Sequence, residues 1–390
     1  MVAKSAISSK LMEARPLVSQ FSTPFGSEIF IALESPKKKT NQAEIVALFR
    51  EYSEVLEDFG LSSETEIFVR FHLSDIVTQA PLIHRLLMNR AIVSFSSLVG
   101  QPPASGRRCA LQAYHIKSNN PVIKTMKSNN MMSVKHGSYT SIWTRSSPSG
   151  QPQSISYQTA RLFHNLSDDL SLQGAVLHEH LVRTWIFIRN IDSHYRKFAN
   201  ARRDFYSSAG LSKESHTPVS TGIGGAGEEA SHLVIMDSLA VMGLEDGQIE
   251  YMSAPEHLCP AYCYDVTFER ALQIFFGDRT HYHISGTASI DREGNVIGEG
   301  DLQRQAMRIL ENINALLSAY RADLKDLMLI VVYLRDMADF PAIDSFLRDH
   351  LPAGVPYIVV RGKICRKAWL VEMDGIAIKP ISDIRFAPYC

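Results

Sequence analysis

One pattern occurs three times along this chain, and that repeat limits the possible folds more than any other feature. In each copy an apolar helix leads through a short turn to a strand that ends in apolar residues and an Asp or Asn. The strand lines are Phe71-His72-Leu73-Ser74-Asp75-Ile76, Ile186-Phe187-Ile188-Arg189-Asn190-Ile191 and Val332-Tyr333-Leu334-Arg335-Asp336-Met337. Their helices begin near Ala43, Ala160 and Gln305, and each line is followed, after a further helix, by a closing apolar strand. The closing strands run from Ala110 to Ile116, His232 to Ala240 and Trp369 to Ala377, and the last two share Leu-Val-x-Met-Asp-x-apolar-Ala. Helices alternating with strands predict an α+β fold of three tandem modules, at residues 1–135, 136–250 and 251–390. Set in register, one column reads Gln112, Ile235 and Glu372. Only the third copy keeps an ionisable group there, so one active site per chain is expected.

The 390 residues are 45% hydrophobic, enough for a large core. Forty basic residues against 41 acidic ones give a net charge of -1. With the two signs interspersed, no basic stripe faces a nucleic-acid backbone, and nucleic-acid binding is not expected. No run of eighteen apolar residues occurs and Met1 to Leu11 lacks a signal-peptide core, so no membrane span is expected and the cytoplasm is the default location. The five cysteines do not form a disulfide framework. Cys259-x-x-x-Cys263, with His257, His281 and His283 nearby, lacks the second ligand pair of a structural zinc site, so no metal is expected.

Met1 to Phe25 is a polar lead-in. Ile29 to Leu33 is a strand, Ala43 to Phe59 a helix closed by Gly60, Pro81 to Asn89 a second helix, and Lys117 to Lys135 a linker by its polar composition. The glycine-rich Thr221 to Gly227 does not follow a strand and open a helix, so a dinucleotide-binding turn is disfavoured; glycines there let the chain come close to a ligand.

Glu372 stands among Trp369, Leu370, Val371 and Met373. Desolvation there raises a carboxyl pKa, as a general acid near neutrality requires. The competing reading is a Glu on a wet sheet face, with Asp374 on the same side. Cys365 beside Arg366 and Lys367 reads as a cavity-lining thiol, since no His and Asn partners mark a thiol protease. Arg202 and Arg203 follow Tyr195 and Phe198 at helical spacing, so at most one faces a site. Ser285-Gly286-Thr287-Ala288-Ser289 is a strand of small residues that leaves room beside the sheet.

Ile284 to Ile290, the helix with Gln305 and Asn312, Tyr333-Leu334-Arg335-Asp336 and Leu370 to Ala377 together resemble the RidA/YjgF family. That family forms trimers of chorismate-mutase-like modules with sites in the clefts between subunits. The resemblance implies that this chain builds the trimer internally, as a monomer with approximate threefold symmetry. In RidA imine deaminases an arginine ahead of this glutamate holds the substrate carboxylate; the matching position by count is Tyr357, which implies that the ordinary deaminase site is absent.

Over most of the chain the order of motifs is similar to the chorismatases. Those motifs are Gly100-Gln-Pro-Pro103, the Trp185 strand leading through Asn190 to Arg202, Thr221-Gly-Ile-Gly224, Pro260-Ala261-Tyr262, Ser285 to Ile290, and Cys365-Arg366 before Trp369-Leu-Val-Glu372. This resemblance implies a cofactor-independent enzyme of secondary metabolism that converts chorismate, or a close relative, to pyruvate plus a hydroxybenzoate or a dihydroxycyclohexadiene carboxylate. Glu372 would be the catalytic acid, and Arg202, Tyr195, Gly222, Gly224, Gly286, Thr287, Cys365 and Arg366 would bind the small carboxylate substrate between the second and third modules. Ala254-Pro255-Glu256-His257 replaces an Asn-Pro-Arg-type stretch, which alters one substrate contact. The alternatives are a RidA-like deaminase or hydrolase of another imine or enol, and a non-catalytic ligand-binding protein.

Overall fold

Strands Glu66–Leu73 and Cys109–Ser118 are buried over most of their length at successive residues, which requires that both faces of the sheet be covered. The computed structural model, which describes residues 17–88, 94–148, 153–211, 215–259 and 267–390, covers them from two sides. Each sheet carries helices on its outer face and packs its inner face against the other two sheets.

In the first module β1 (Leu17–Ser22), β2 (Gly26–Glu34), β3 (Glu66–Leu73), β4 (Phe95–Val99) and β5 (Cys109–Ser118) form a sheet in the order β1-β2-β5-β3-β4, backed by α1 (Asn41–Asp58) and α2 (Ile76–Met88). The second sheet, β10-β9-β11-β8-β7-β6, contains β6 (Ile123–Ser128), β7 (Met131–His136), β8 (Tyr139–Ser146), β9 (Leu181–Ile188), β10 (Val219–Gly224) and β11 (Val234–Met242). Its helices are α3 (Ile155–Ser171), the single turn α4 (Leu177–His180) and α5 (Ile191–Ser208). The third sheet, β12-β13-β14-β17-β15-β16, is built from β12 (Ile249–Met252), β13 (Ala271–Phe275), β14 (Thr280–Ala288), β15 (Leu327–Leu334), β16 (Tyr357–Arg361) and β17 (Val371–Lys379), under α6 (Leu302–Ala319) and α7 (Phe340–His350). The repeated unit is thus β2-β5-β3-β4, β8-β11-β9-β10 and β14-β17-β15-β16, each ending in one parallel pair. The α+β, three-module expectation holds.

Several boundaries differ from the sequence reading. The lead-in contains β1, and Lys117 to Lys135 is no linker: it ends β5 and supplies β6 and most of β7. As a sheet edge with one partner, β6 is almost wholly exposed, so its composition is that of a loop. Sheets therefore change over between Ser118 and Ile123, and again between Met242 and Ile249. The start of the glycine-rich segment is the strand β10. Helix α2 begins at Ile76, with Pro81 inside it, and Asn89 falls outside the described residues.

Cross-strand pairing also corrects the Glu372 column. Glu372 pairs with Tyr333 and Ile235 with Phe187, but Gln112 pairs with Arg70. The first-module residue in the place of Tyr333 and Phe187 is His72, whose partner is Ala110. Ala110 is therefore the counterpart of Glu372, and Gln112 shares a column with Asp237 and Asp374. A slip of two residues keeps every side chain on its own face, so alternation alone could not detect it.

One core cluster joins the three sheets, including Phe68, Trp143, Leu239, Leu272 and Met328; the Phe68 and Trp143 rings stack at 4.8 Å. Buried ion pairs cross the seams. Arg70 donates to Asp237 at 2.7 Å, Arg183 lies 3.3 Å from Asp374, and Arg279 donates to Glu28 at 2.7 Å, with His281 Nε2 at 2.8 Å from the same carboxylate. The parallel edge strand of one module packs on the first core strand of the next, β10 on β14 and β16 on β2. Since the three inner faces already cover one another, light scattering is expected to give the mass of one chain; a stable trimer would contradict this.

Candidate active site

Cavities lie at the centre of the described modules and in the clefts between them. A central one of about 90 Å³ has aromatic walls that include Phe68, Trp143 and Trp185. One of about 580 Å³ lies between the third and first modules. The cleft between the second and third modules, about 160 Å³, gathers most of the residues singled out in the sequence.

Helix α5 supplies Tyr195 and Arg202 to that cleft. Asn190 closes β9 with a left-handed backbone (φ 51°) and the helix starts at once, placing Tyr195, Phe198 and Arg202 on one face at i, i+3 and i+7. Arg202 is buried, its Nε–H donates to Thr267 at 3.0 Å, and its guanidinium lies over the Phe198 ring. Arg203 faces away and bonds Asn200 on the surface, so one arginine of the pair enters the cleft. Ser220 and Gly222 of β10 line the same wall.

The opposite wall belongs to the third module. Glu372 is 5% exposed, which excludes the wet-face reading. Burial, and then the charge of Asp374, push its carboxyl up to about 8 against the opposing pull of Arg270. Asp374 lies two residues along the same face and is itself tied down. It accepts from the hydroxyls of Thr221 at 2.7 Å and Tyr333 at 2.9 Å, beside Arg183. A carboxyl held at this value is largely protonated at neutral pH and still able to release its proton, the condition for a general acid.

Gly286 sits where the β14–β17 register shifts, and its N–H donates to the Thr221 hydroxyl at 3.1 Å. A Cβ at this position would overlap the Glu372 carboxyl and press on the Thr221 methyl at 3.2 Å. Gly286→Ala is accordingly expected to fold, to turn the carboxyl out of place, and to lower turnover about tenfold or more. Steady-state kinetics check this; unchanged kcat would show that the close approach is irrelevant.

Cys365 lines the cleft as a thiol: burial and then the nearby Glu372 charge push it up to about 12, against a hydrogen bond from Tyr195. It is no nucleophile. Arg366 donates to the Gly294 carbonyl at 3.0 Å, with its guanidinium 4.7 Å from the Trp369 ring centre. The indole of Trp369 donates to the Ser289 carbonyl at 2.9 Å, which fixes that wall.

Two expected residues do not reach the cleft. Thr287 is buried, donates to the Ser285 carbonyl and alternates to the other face of β14. Gly224 lies at the end of β10, where its N–H donates to the Lys363 carbonyl at 2.8 Å and a Cβ would meet the Lys363 backbone. Its glycine serves chain packing. Pro260-Ala261-Tyr262 and Cys263 lie outside the described residues. Among the described residues no group of three His, Cys, Asp or Glu is placed to hold a metal ion, and no helix is long and apolar enough to cross a membrane.

Sequence reasoning missed Arg270, Phe268 and Ser220. Arg270 is 5% exposed and donates through Nε and Nη2 to the Cys259 carbonyl. Nothing in Phe268-Glu269-Arg270 distinguishes it from a surface charge before a strand. Tyr357, the position matched by count to the deaminase arginine, lines the third–first cleft; on β10 its counterpart is Ser220, which lines the Glu372 cleft.

Comparison with known proteins gives four findings. Residues 277–379 match the family model described as Endoribonuclease L-PSP. A RutC family protein of Pyrococcus abyssi is 33% identical over 97 residues, which cover 25% of this chain and 76% of that protein. A 3-hydroxybenzoate synthase of Streptomyces hygroscopicus is 24% identical over 222 residues, 50% of this chain and 63% of that protein. In fold, a chorismatase crystal structure matches 94% of this chain and 100% of its own with a TM-score of 0.63, at 18% identity.

Proposed function

The chain belongs to the RutC family through its third module and takes the chorismatase fold over its whole length, and from these premises we propose that it is an enzyme converting chorismate or a close relative. The observation that carries the reading is the buried, protonatable Glu372 facing a cleft lined by Arg202, Arg270 and Arg366. Chorismate brings two carboxylates and an enolpyruvyl ether, so its recognition calls for cations and its cleavage for an acid. Planar guanidinium groups match carboxylates bidentately.

In the proposed reaction the Glu372 carboxyl donates its proton to the terminal vinyl carbon. The ether carbon becomes an oxocarbenium ion and Glu372 a carboxylate. Water adds to that carbon and returns a proton to Glu372, and the resulting hemiketal collapses to pyruvate and the ring alcohol. Attack by the neighbouring ring hydroxyl instead of water forms a cyclic ketal and returns that hydroxyl's proton to Glu372; one ring C–O bond then breaks, its oxygen leaving as the carbonyl of pyruvate, and loss of a ring proton leaves the aromatic hydroxybenzoate.

Similarity to the 3-hydroxybenzoate synthase supports the hydroxybenzoate branch. The deaminase alternative gains no support, because Ser220 holds the place where those enzymes bring an arginine. Incubation of the protein with chorismate is expected to release pyruvate, read by lactate dehydrogenase coupling, with the ring product identified by chromatography. Chorismate returned unchanged, with no pyruvate, would refute the reading.

A further inference from the structure

The cleft between the third and first modules repeats the proposed active site place for place. Strand β16 presents Tyr357 and Val359, which pair with Ile330 and Val332; β10 presents Ser220 and Gly222, paired with Thr184 and Ile186. Arg202 and Arg348 each stand twelve residues beyond the Asn190 or Asp336 that closes the preceding strand line, and each lines its cleft. Across the seam, Ala32 and Glu34 of β2 take the places of Gly286 and Ala288, because Glu34 pairs with Ala110 as Ala288 pairs with Glu372. The carboxyl has therefore moved one strand over, from the Glu372 column to its neighbour.

We propose that this second cleft is a binding site for a small cyclic monocarboxylate bearing a hydroxyl group, such as a hydroxybenzoate. Its volume of about 580 Å³ is within the range of small-molecule sites. An apolar floor that includes Leu33, Leu351 and Val359 receives the ring. Arg107, on the loop before β5, receives the carboxylate, while Arg348 is already paired with Asp344 at 2.5 Å. Glu34 receives the hydroxyl. It accepts from Ser105 at 2.6 Å, and burial raises its pKa against the pull of Ser105 and Arg107. With Arg107 to meet one carboxylate and Glu34 to meet a hydroxyl, the cleft suits a monoanion, whereas the three arginines around Glu372 suit a dianion.

The test is a methyl-detected NMR titration of the full chain with 3-hydroxybenzoate. The methyl signals of Leu351, Val355 and Val359 are expected to shift saturably. In Arg107→Met the midpoint is expected to rise at least tenfold while chorismate turnover is unchanged, since Arg107 does not line the Glu372 cleft. Absence of saturable shifts in the wild type, or the same midpoint in Arg107→Met, would overturn the proposal. Its failure would leave the reading of Glu372 untouched, because that reading is tested by pyruvate release.

Discussion

Glu372→Gln is expected to lose pyruvate release by a factor on the order of a hundred or more, the scale for removing a general acid, and to become more stable as it does so. Glutamine keeps the shape of the group but has no acidic proton for carbon. The gain in stability follows from linkage. The folded carboxyl titrates near 8, against an ordinary value of 4.5 in the unfolded chain. Below 4.5 both states are protonated and the site costs nothing extra. As pH rises the unfolded chain releases its proton first, so folding is progressively disfavoured until the folded group also ionises near 8. The uncharged glutamine escapes this cost, which is on the order of a few kcal/mol at high pH. Thermal unfolding should show the variant and wild type converging near pH 4 and separating progressively between about pH 4.5 and 8, with the variant ahead. Wild-type activity should fall as pH rises through about 8. A glutamine variant that turns over normally would remove Glu372 from the chemistry.

Glu28→Gln should act in the opposite sense, on stability alone. Glu28 is fully buried between the first and third modules and accepts from Arg279, with Tyr114 and His281 beside it. Burial alone would raise its pKa, but His281 and Arg279 outweigh it and hold the carboxyl at about 2. Its contribution is present above pH 4.5 and lost as pH falls toward 2. Breaking one side of such a pair leaves buried cations uncompensated and costs about 3–5 kcal/mol. Urea unfolding at pH 7 should show a loss of this size, shrinking toward pH 3. An unchanged midpoint would mean that the pair contributes nothing across that seam.

The parts of this molecule that were legible in the sequence are those written in local spacing. Tyr195, Phe198 and Arg202 declare a helix face, and the apolar closing strands declare a core. The three strand lines could be aligned because each ends in a turn-forming Asp or Asn. What local spacing does not carry was lost. β6 is as polar as a loop because it lies at an edge. Gln112 was set beside Glu372 because a shift of two residues leaves alternation intact. Arg270 escaped notice because its burial depends on the carbonyl of Cys259, across a segment that carries no periodicity. Counting back from Glu372 within one module leads to Tyr357, although the wall facing Glu372 is lent by another.

That lending has a consequence for how such a molecule can change. In a homotrimer each substitution appears in all three copies, so a residue suited to one interface must be tolerated at every interface. Joining the copies end to end removes that constraint: Glu34 and Ala288, or Val359 and Gly222, can differ because each is encoded separately. The covalent tether also keeps neighbouring units at millimolar effective concentration. An interface that exchanges apolar contact for polar groups therefore does not release its partner, and specialisation of one cleft need not be compensated by tighter packing at the others.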